Sequence, residues 1–195
     1  MNKRTFVIQG WNIILTEQSM IDEAPSGDGV LVIEMPDGIL LSIVDGLGHG
    51  TEAHYACQCC LTEVIAHYDL EMIDLVKIVH DRIKGSRGVA IGLLKINENT
   101  VEWLGVGNIS IFMVNGEHQY LSSFSQSGIV GFILPRLIVR SFKDIRNVVL
   151  FTDGLISTWD QIQDWNVMPD ISDLSSSQWK LLNDDKALII GSRYG

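Results

Sequence analysis

No stretch of the 195 residues approaches the ~20 consecutive apolar side chains that a membrane-spanning helix needs. The start, Met1-Asn2-Lys3-Arg4, is basic, but Gln9, Trp11 and Asn12 interrupt the apolar residues behind it and no small-residue cleavage site follows. A secretory leader is therefore not expected, and the cytoplasm is the expected location. Cations are scarce: 14 Lys and Arg stand against 24 Asp and Glu, a net charge of −10, with no Lys/Arg run. Neither nucleic acid nor an anionic membrane is then the expected partner. Aromatics make up only 8%, and the tryptophans at 11, 103, 159, 165 and 179 are too scattered for a base-stacking stripe. Cysteine is limited to Cys57, Cys59 and Cys60. Crowded on one predicted helix, these cannot build a disulfide framework. Even with His54 nearby they do not converge as four zinc ligands must, so they read as free thiols and small core residues. Also missing is a covalent nucleophile: there is no Cys-x5-Arg loop, and no serine sits in a His/Asp pattern.

What is present is 46% hydrophobic residues with no repeat, linker or low-complexity tract, which predicts one compact domain over residues 1–195. Residues 4–15 read as a first strand and Thr16 to Pro25 as a loop. Val30–Met35 and Ile39–Val44 flank Pro36-Asp37-Gly38, which predicts a hairpin. Apolar residues at helical spacing predict helices from Gly50 to Tyr68 and from Leu70 to Lys84. Strands are then expected at 89–96, 101–106, 109–114 and 119–121 as an antiparallel meander, followed by strands at 136–142, 147–152 and 187–191. Helices are expected at 155–165 and 172–183. Two groups of strands interrupted by two helix pairs predict a layered α/β (α+β) fold, with facing sheets inside and helices outside.

The informative residues are acids beside glycine, or beside one another, at predicted strand ends: Asp28 in Ser26-Gly27-Asp28, Asp45 in Val44-Asp45-Gly46, Asp153 in Thr152-Asp153-Gly154, and the pair Asp184-Asp185. One Asp-Gly alone is ordinary turn chemistry. Two of them, each directly after a buried apolar run, place carboxylates where the backbone can also approach a ligand. Acids held together repel unless protons or cations compensate, and oxygen donors without thiol or imidazole favour Mg²⁺ or Mn²⁺. The pattern therefore predicts a two-metal site.

Together with Gly46-Leu47-Gly48-His49-Gly50, Ser86-Arg87-Gly88, Leu94-Lys95-Ile96 and Gly105-Val106-Gly107-Asn108, the order of these acids resembles the PPM, or 2C-type, metal-dependent protein serine/threonine phosphatases. The likeness is greatest to the compact SpoIIE-like bacterial branch and its RsbX-like stressosome phosphatases. The resemblance implies an α-β-β-α sandwich of two mostly antiparallel sheets holding two Mn²⁺ or Mg²⁺ ions. Asp45 matches the carboxylate bridging both metals and Gly46 the residue lending a carbonyl. Asp153 and Asp184 match the ligands of one ion, and Asp28 the acid associated with the other. Asp45 and Asp153 are thus the expected catalytic pair, while Gly107 and Asn108 match a structural turn. One departure stands out: Ala187 follows Asp184-Asp185-Lys186 where the family commonly has Thr, which removes a hydroxyl from the surroundings of the metal ligands. Arg87 is the candidate for binding phosphate.

Such a site implies in-line attack on phosphorus by a metal-activated water, with no covalent intermediate. The expected substrates are phosphoserine and phosphothreonine proteins, by resemblance the scaffold and antagonist proteins of a stressosome. A catalytically weak phosphatase-like binding module is the alternative, supported by Ala187. A reading of Asp45-Gly46-Leu47-Gly48 as the nucleotide loop of a kinase-like ATPase requires a preceding helix, where the sequence predicts a hairpin, and leaves Asp153 and Asp184 unexplained.

Overall fold

The computed structural model describes residues 2–20, 25–155 and 184–194. Eleven strands form two antiparallel sheets among these residues, and two helices cover one outer face. The first sheet has six strands in the order β1 (Asn2–Ile8), β2 (Trp11–Gln18), β11 (Lys186–Arg193), β10 (Ile145–Phe151), β7 (Ser110–Asn115) and β8 (Tyr120–Phe124). The second has five: β3 (Asp28–Met35), β4 (Gly38–Gly46), β5 (Val89–Asn97), β6 (Thr100–Val106) and β9 (Arg140–Lys143). Helices α1 (Thr51–Ala66) and α2 (Met72–Arg82) lie between β4 and β5 in sequence. No helix among the described residues is long and apolar enough to cross a membrane.

Alternation along the strands divides the buried residues. One face of each sheet supplies the inner core, with Ile13 and Leu15 from β2 meeting Ile39, Leu41 and Ile43 from β4, and with Trp103, Val148, Leu150 and Ile189. The other face of β4 and β5, carrying Leu40, Val44, Ile91 and Leu93, packs on the buried stripes of α1 and α2. Cys57 and Cys60 are small members of that second core, and all three thiols are free. Because β4 is buried on both faces it reads as an apolar run from Ile39 to Val44, interrupted only by the buried Ser42, with Asp45 directly after it.

The expected hairpin is present, with Met35 opposite Gly38, and so are both expected helices between β4 and β5. Three expectations change. Residues 4–15 form two strands, because Gln9 and Gly10, at φ 47° and 79°, make the left-handed pair of a two-residue turn with Ile8 opposite Trp11. The meander from 89 to 121 is broken: β5 and β6 belong to one sheet, β7 and β8 to the other, and the chain crosses between sheets at Gly107 (φ 94°) and Asn108. Of 136–142, only the end enters a ladder, as β9. The helices expected at 155–165 and 172–183 lie outside the described residues, apart from a short 3₁₀ turn at Asp153–Leu155.

Candidate metal centre

Strand pairing brings the acids together. Asp28 opens β3 and Asp45 is the penultimate residue of β4, and the two are directly opposite in the antiparallel register, so their side chains share a face. Asp153 follows the end of β10 in the facing sheet, and Asp184 precedes β11, the neighbour of β10. One sheet end thus contributes two carboxylates and the other end two more. Between them stands Asn108, at the crossing from β6 to β7. Its Nδ2 donates to Asp45 Oδ2 at 3.0 Å and to Asp153 Oδ2 at 2.7 Å. One amide therefore spans both sheets and joins the two acids assigned as the catalytic pair.

The local backbone explains the glycines around Asp45. A Cβ on Gly46 would run into the carbonyl oxygen of Ala53 in the first turn of α1 and would lie 3.0 Å from the Gly27 carbonyl oxygen. Gly46 N donates to that Gly27 oxygen at 3.0 Å, tying the Asp45 turn to the Asp28 turn. His54 on α1 adds a second tie, Nδ1 to the Ser26 carbonyl at 2.8 Å.

Burial and repulsion set the charge state. Asp28 is buried, and its carboxyl is held well above the ordinary carboxylate range by desolvation and then by Asp45. Thr152 opposes that shift through a hydrogen bond to Asp28. Asp45 is pushed up to about 6 by desolvation and then by the charge of Asp153, with the Asn108 amide acting in the opposite direction. Asp184 is also raised, first by desolvation, and feels Asp153 and, oppositely, His49.

The acid pair divides its work. Asp184 is exposed, whereas the neighbouring Asp185 is buried and spent on the backbone. Asp185 Oδ2 accepts from Gly27 N at 2.6 Å and Oδ1 from Met20 N at 2.7 Å, so it fixes the approach to Asp28. Ala187 is fully buried, and its N–H donates to Thr152 Oγ1 at 3.0 Å. The hydroxyl missing at 187 is therefore supplied from the end of the neighbouring strand: Thr152 accepts from Ala187 and donates to Asp28. Sequence reasoning gave Asn108 only a structural turn near the site, not a bond to its acids, and missed Thr152. The signal for Thr152 was its place beside Asp153, and for Asn108 the Gly-Asn at a sheet crossing.

Among the described residues no three His, Cys, Asp or Glu side chains form a ready-made metal cage. The donors nevertheless fit hard divalent ions. All are oxygen, they repel one another as they stand, and Asp28 Oδ2 is buried without a hydrogen-bond partner, an acceptor that a cation or its water would satisfy. Arg87 lies at the rim: its guanidinium crosses the face of Gly48, so that a Cβ there would stand 2.7 Å from one terminal nitrogen, and its Nε donates to Glu52 at 2.6 Å.

No protein-family model and no curated protein matches the sequence. Solved structures do. RsbX in complex with magnesium superposes with a TM-score of 0.81 at 15% identity, covering 99% of this chain and 100% of that one. The serine/threonine phosphatase PstP/Ppp of Mycobacterium tuberculosis gives 0.74 at 11%, covering 95% and 99%. The PP2C phosphatase domain of SpoIIE from Bacillus subtilis, solved with a fragment of its regulatory domain, gives 0.76 at 15%, covering 95% of this chain and 64% of that one. At these identities the likeness establishes architecture, and the chain has the fold of the PP2C-type phosphatase domain.

Proposed function

We propose that the protein is a metal-dependent phosphoprotein phosphatase of the PPM family, SpoIIE-like branch, acting on phosphoserine and phosphothreonine as one catalytic unit over residues 1–195. The observation that carries this is the convergence of Asp45 and Asp153 from facing sheets onto one amide, with Asp28 opposite Asp45. Asp28, Asp45, the Gly46 carbonyl, Asp153 and Asp184 would hold two divalent ions, Mn²⁺ or Mg²⁺, with Asp45 shared. When bound, such ions clamp a phosphoryl group and make hydroxide available at neutral pH.

The chain's own residues have separate tasks. Asp45 and Asp153 present carboxylate oxygens to the cleft, and Asn108 fixes their spacing. Asp185 and Thr152 orient Asp28 from behind. The absence of a nucleophilic Cys or Ser pattern agrees with direct attack by water. The superposition with magnesium-bound RsbX supports the cofactor assignment. By the same likeness we assign the substrates to phosphorylated stressosome proteins and the location to the cytoplasm.

A catalytically weak binding module is the less favoured reading. Its support was the loss of a hydroxyl at Ala187, and Thr152 supplies a hydroxyl to Asp28. The test is phosphate release from phosphoserine and phosphothreonine peptides with Mn²⁺, with Mg²⁺ and with chelator. Metal-dependent release that Asp45→Asn and Asp153→Asn both abolish, in folded protein, supports the assignment. Release that persists in chelator, or its complete absence in wild type, contradicts it.

A further inference from the structure

We infer that the segment after β8 forms a docking surface for the polypeptide flanking the phosphorylated residue, and that this surface selects acidic segments bearing an apolar side chain. The inference rests on the phosphatase reading for the identity of its occupant. Its basis is an inversion of charge. The chain as a whole carries 24 acids against 14 cations, yet from His118 to Lys143 it has no Asp or Glu. The exposed charges of that segment are instead Arg136, Arg140 and Lys143, set among exposed apolar and neutral polar side chains.

Residues 130–139 hold themselves to the core through Val130, Leu134, Leu137 and Val139, which pack with the α1/α2 layer. The residues between them face outward. Phe132 is 71% exposed, Ile133 58% and Ile138 41%, and Arg136 and Arg140 are exposed on either side of Ile138. Among the described residues neither arginine pairs with a carboxylate. Large apolar side chains left in water beside unpaired guanidinium groups are the composition of an interface awaiting an acidic partner.

The position connects this surface to the site. Val130 pairs with Val89, extending the sheet at the end where Asp45 emerges, since Gly46 pairs with Val89 on its other side. Gly88 sits against Ile129 and Phe132, its carbonyl accepts from Leu47 N at 3.1 Å, and Leu47 is two residues from Asp45. Arg87 completes the path at the rim. A phosphorylated side chain directed at Asp45 and Asp153 would lay its flanking chain across Arg87, the Phe132–Ile133 turn and Arg136. Acidic side chains gain from the guanidinium groups, and an apolar one covers Phe132 and Ile133.

The test uses two fluorescein-labelled phosphoserine peptides of equal length, one flanked by Asp, Glu and Leu, the other by Lys and Gly. Binding is read by anisotropy in chelator, and turnover with Mn²⁺. Wild type is expected to bind the acidic, apolar peptide about tenfold or more tightly. Phe132→Ser with Ile133→Ser, and separately Arg136→Glu with Arg140→Glu, should remove that preference with p-nitrophenyl phosphate hydrolysis unchanged and circular dichroism intact. Equal binding of both peptides by wild type, or a preference surviving both variants, overturns the inference. So does concentration-dependent dimerisation that the Phe132/Ile133 variant abolishes without any peptide preference, which would make the surface a contact between copies. A wild type that binds selectively but hydrolyses neither peptide would support the docking surface while contradicting the phosphatase reading.

Discussion

Asn108 and Asp45 show how a single residue can be stabilising or destabilising according to what else is bound. Asp45 is desolvated and feels the charges of Asp153 and Asp184, so without cations its charge works against the fold, and hydrogen bonding from Asn108 and Asp28 offsets only part of that. Asp45→Asn removes the charge with little change of shape. It should raise Tm in chelator by several degrees and lower metal-dependent turnover by about 10³-fold or more, as expected when an electrostatic element of the transition state is lost. Thermal denaturation with and without Mn²⁺, beside phosphate release, checks both halves. Thr152→Val deletes the hydroxyl shared by Ala187 N and Asp28. It should cost about 1–3 kcal/mol in urea denaturation and about tenfold in kcat/KM through a misplaced Asp28, whereas Thr152→Ser should retain most of both. At this scale the acids were legible because each follows an apolar run or begins one, a pattern visible without the fold. Asn108 was not, since Gly107-Asn108 reads as a common turn and acquires its role only when the chain changes sheets there.

Elements deliver these residues to one place, and their junctions are less forgiving than their interiors. The turn after β4 passes so close to α1 that any side chain at 46 meets the Ala53 carbonyl. Gly46→Ala should therefore displace the start of α1 or the Asp45 turn, costing about 2 kcal/mol or more and most of the metal-dependent activity; urea denaturation and Mn²⁺ titration calorimetry would read the two effects. Helices and the β3/β4 hairpin were legible because their signals are local: apolar spacing in α1 and α2, and Pro-Asp-Gly at the hairpin. The β1/β2 hairpin was missed because Gln9 is an unusual residue for a left-handed turn position, and only Gly10 marked it. The assumed meander failed for a different reason. Strand order in a two-sheet stack is decided by which core face each strand buries, and β6 and β7, separated by a short crossing, bury theirs in different sheets.

For the whole molecule, the acid cluster couples stability to pH and, on the two-metal assignment, to metal. Asp28 and Asp45 both have folded values above their ordinary 3.8, Asp45 at about 6. The folded state therefore binds more protons than the unfolded chain between those limits, and in chelator stability should fall as pH rises from about 4 to about 6, the direction set by proton linkage. Below the ordinary carboxylate value the penalty vanishes, because both states are protonated. On the two-metal assignment Mn²⁺ should reverse the trend, since it would bind the ionised form and compete with protons below about pH 6. A stability that rises with pH in chelator over this range would show that the cluster does not carry the stored repulsion described here.

The most direct test of the two-metal assignment is anomalous diffraction at the manganese edge from crystals grown with Mn²⁺. The account predicts two manganese peaks in the cleft between the sheets, both bonded to Asp45, one also to Asp153 and Asp184, the other beside Asp28 and the Gly46 carbonyl. Manganese bound elsewhere, or a cleft in which Asp45 and Asp153 remain joined only through Asn108 at saturating Mn²⁺, would contradict it.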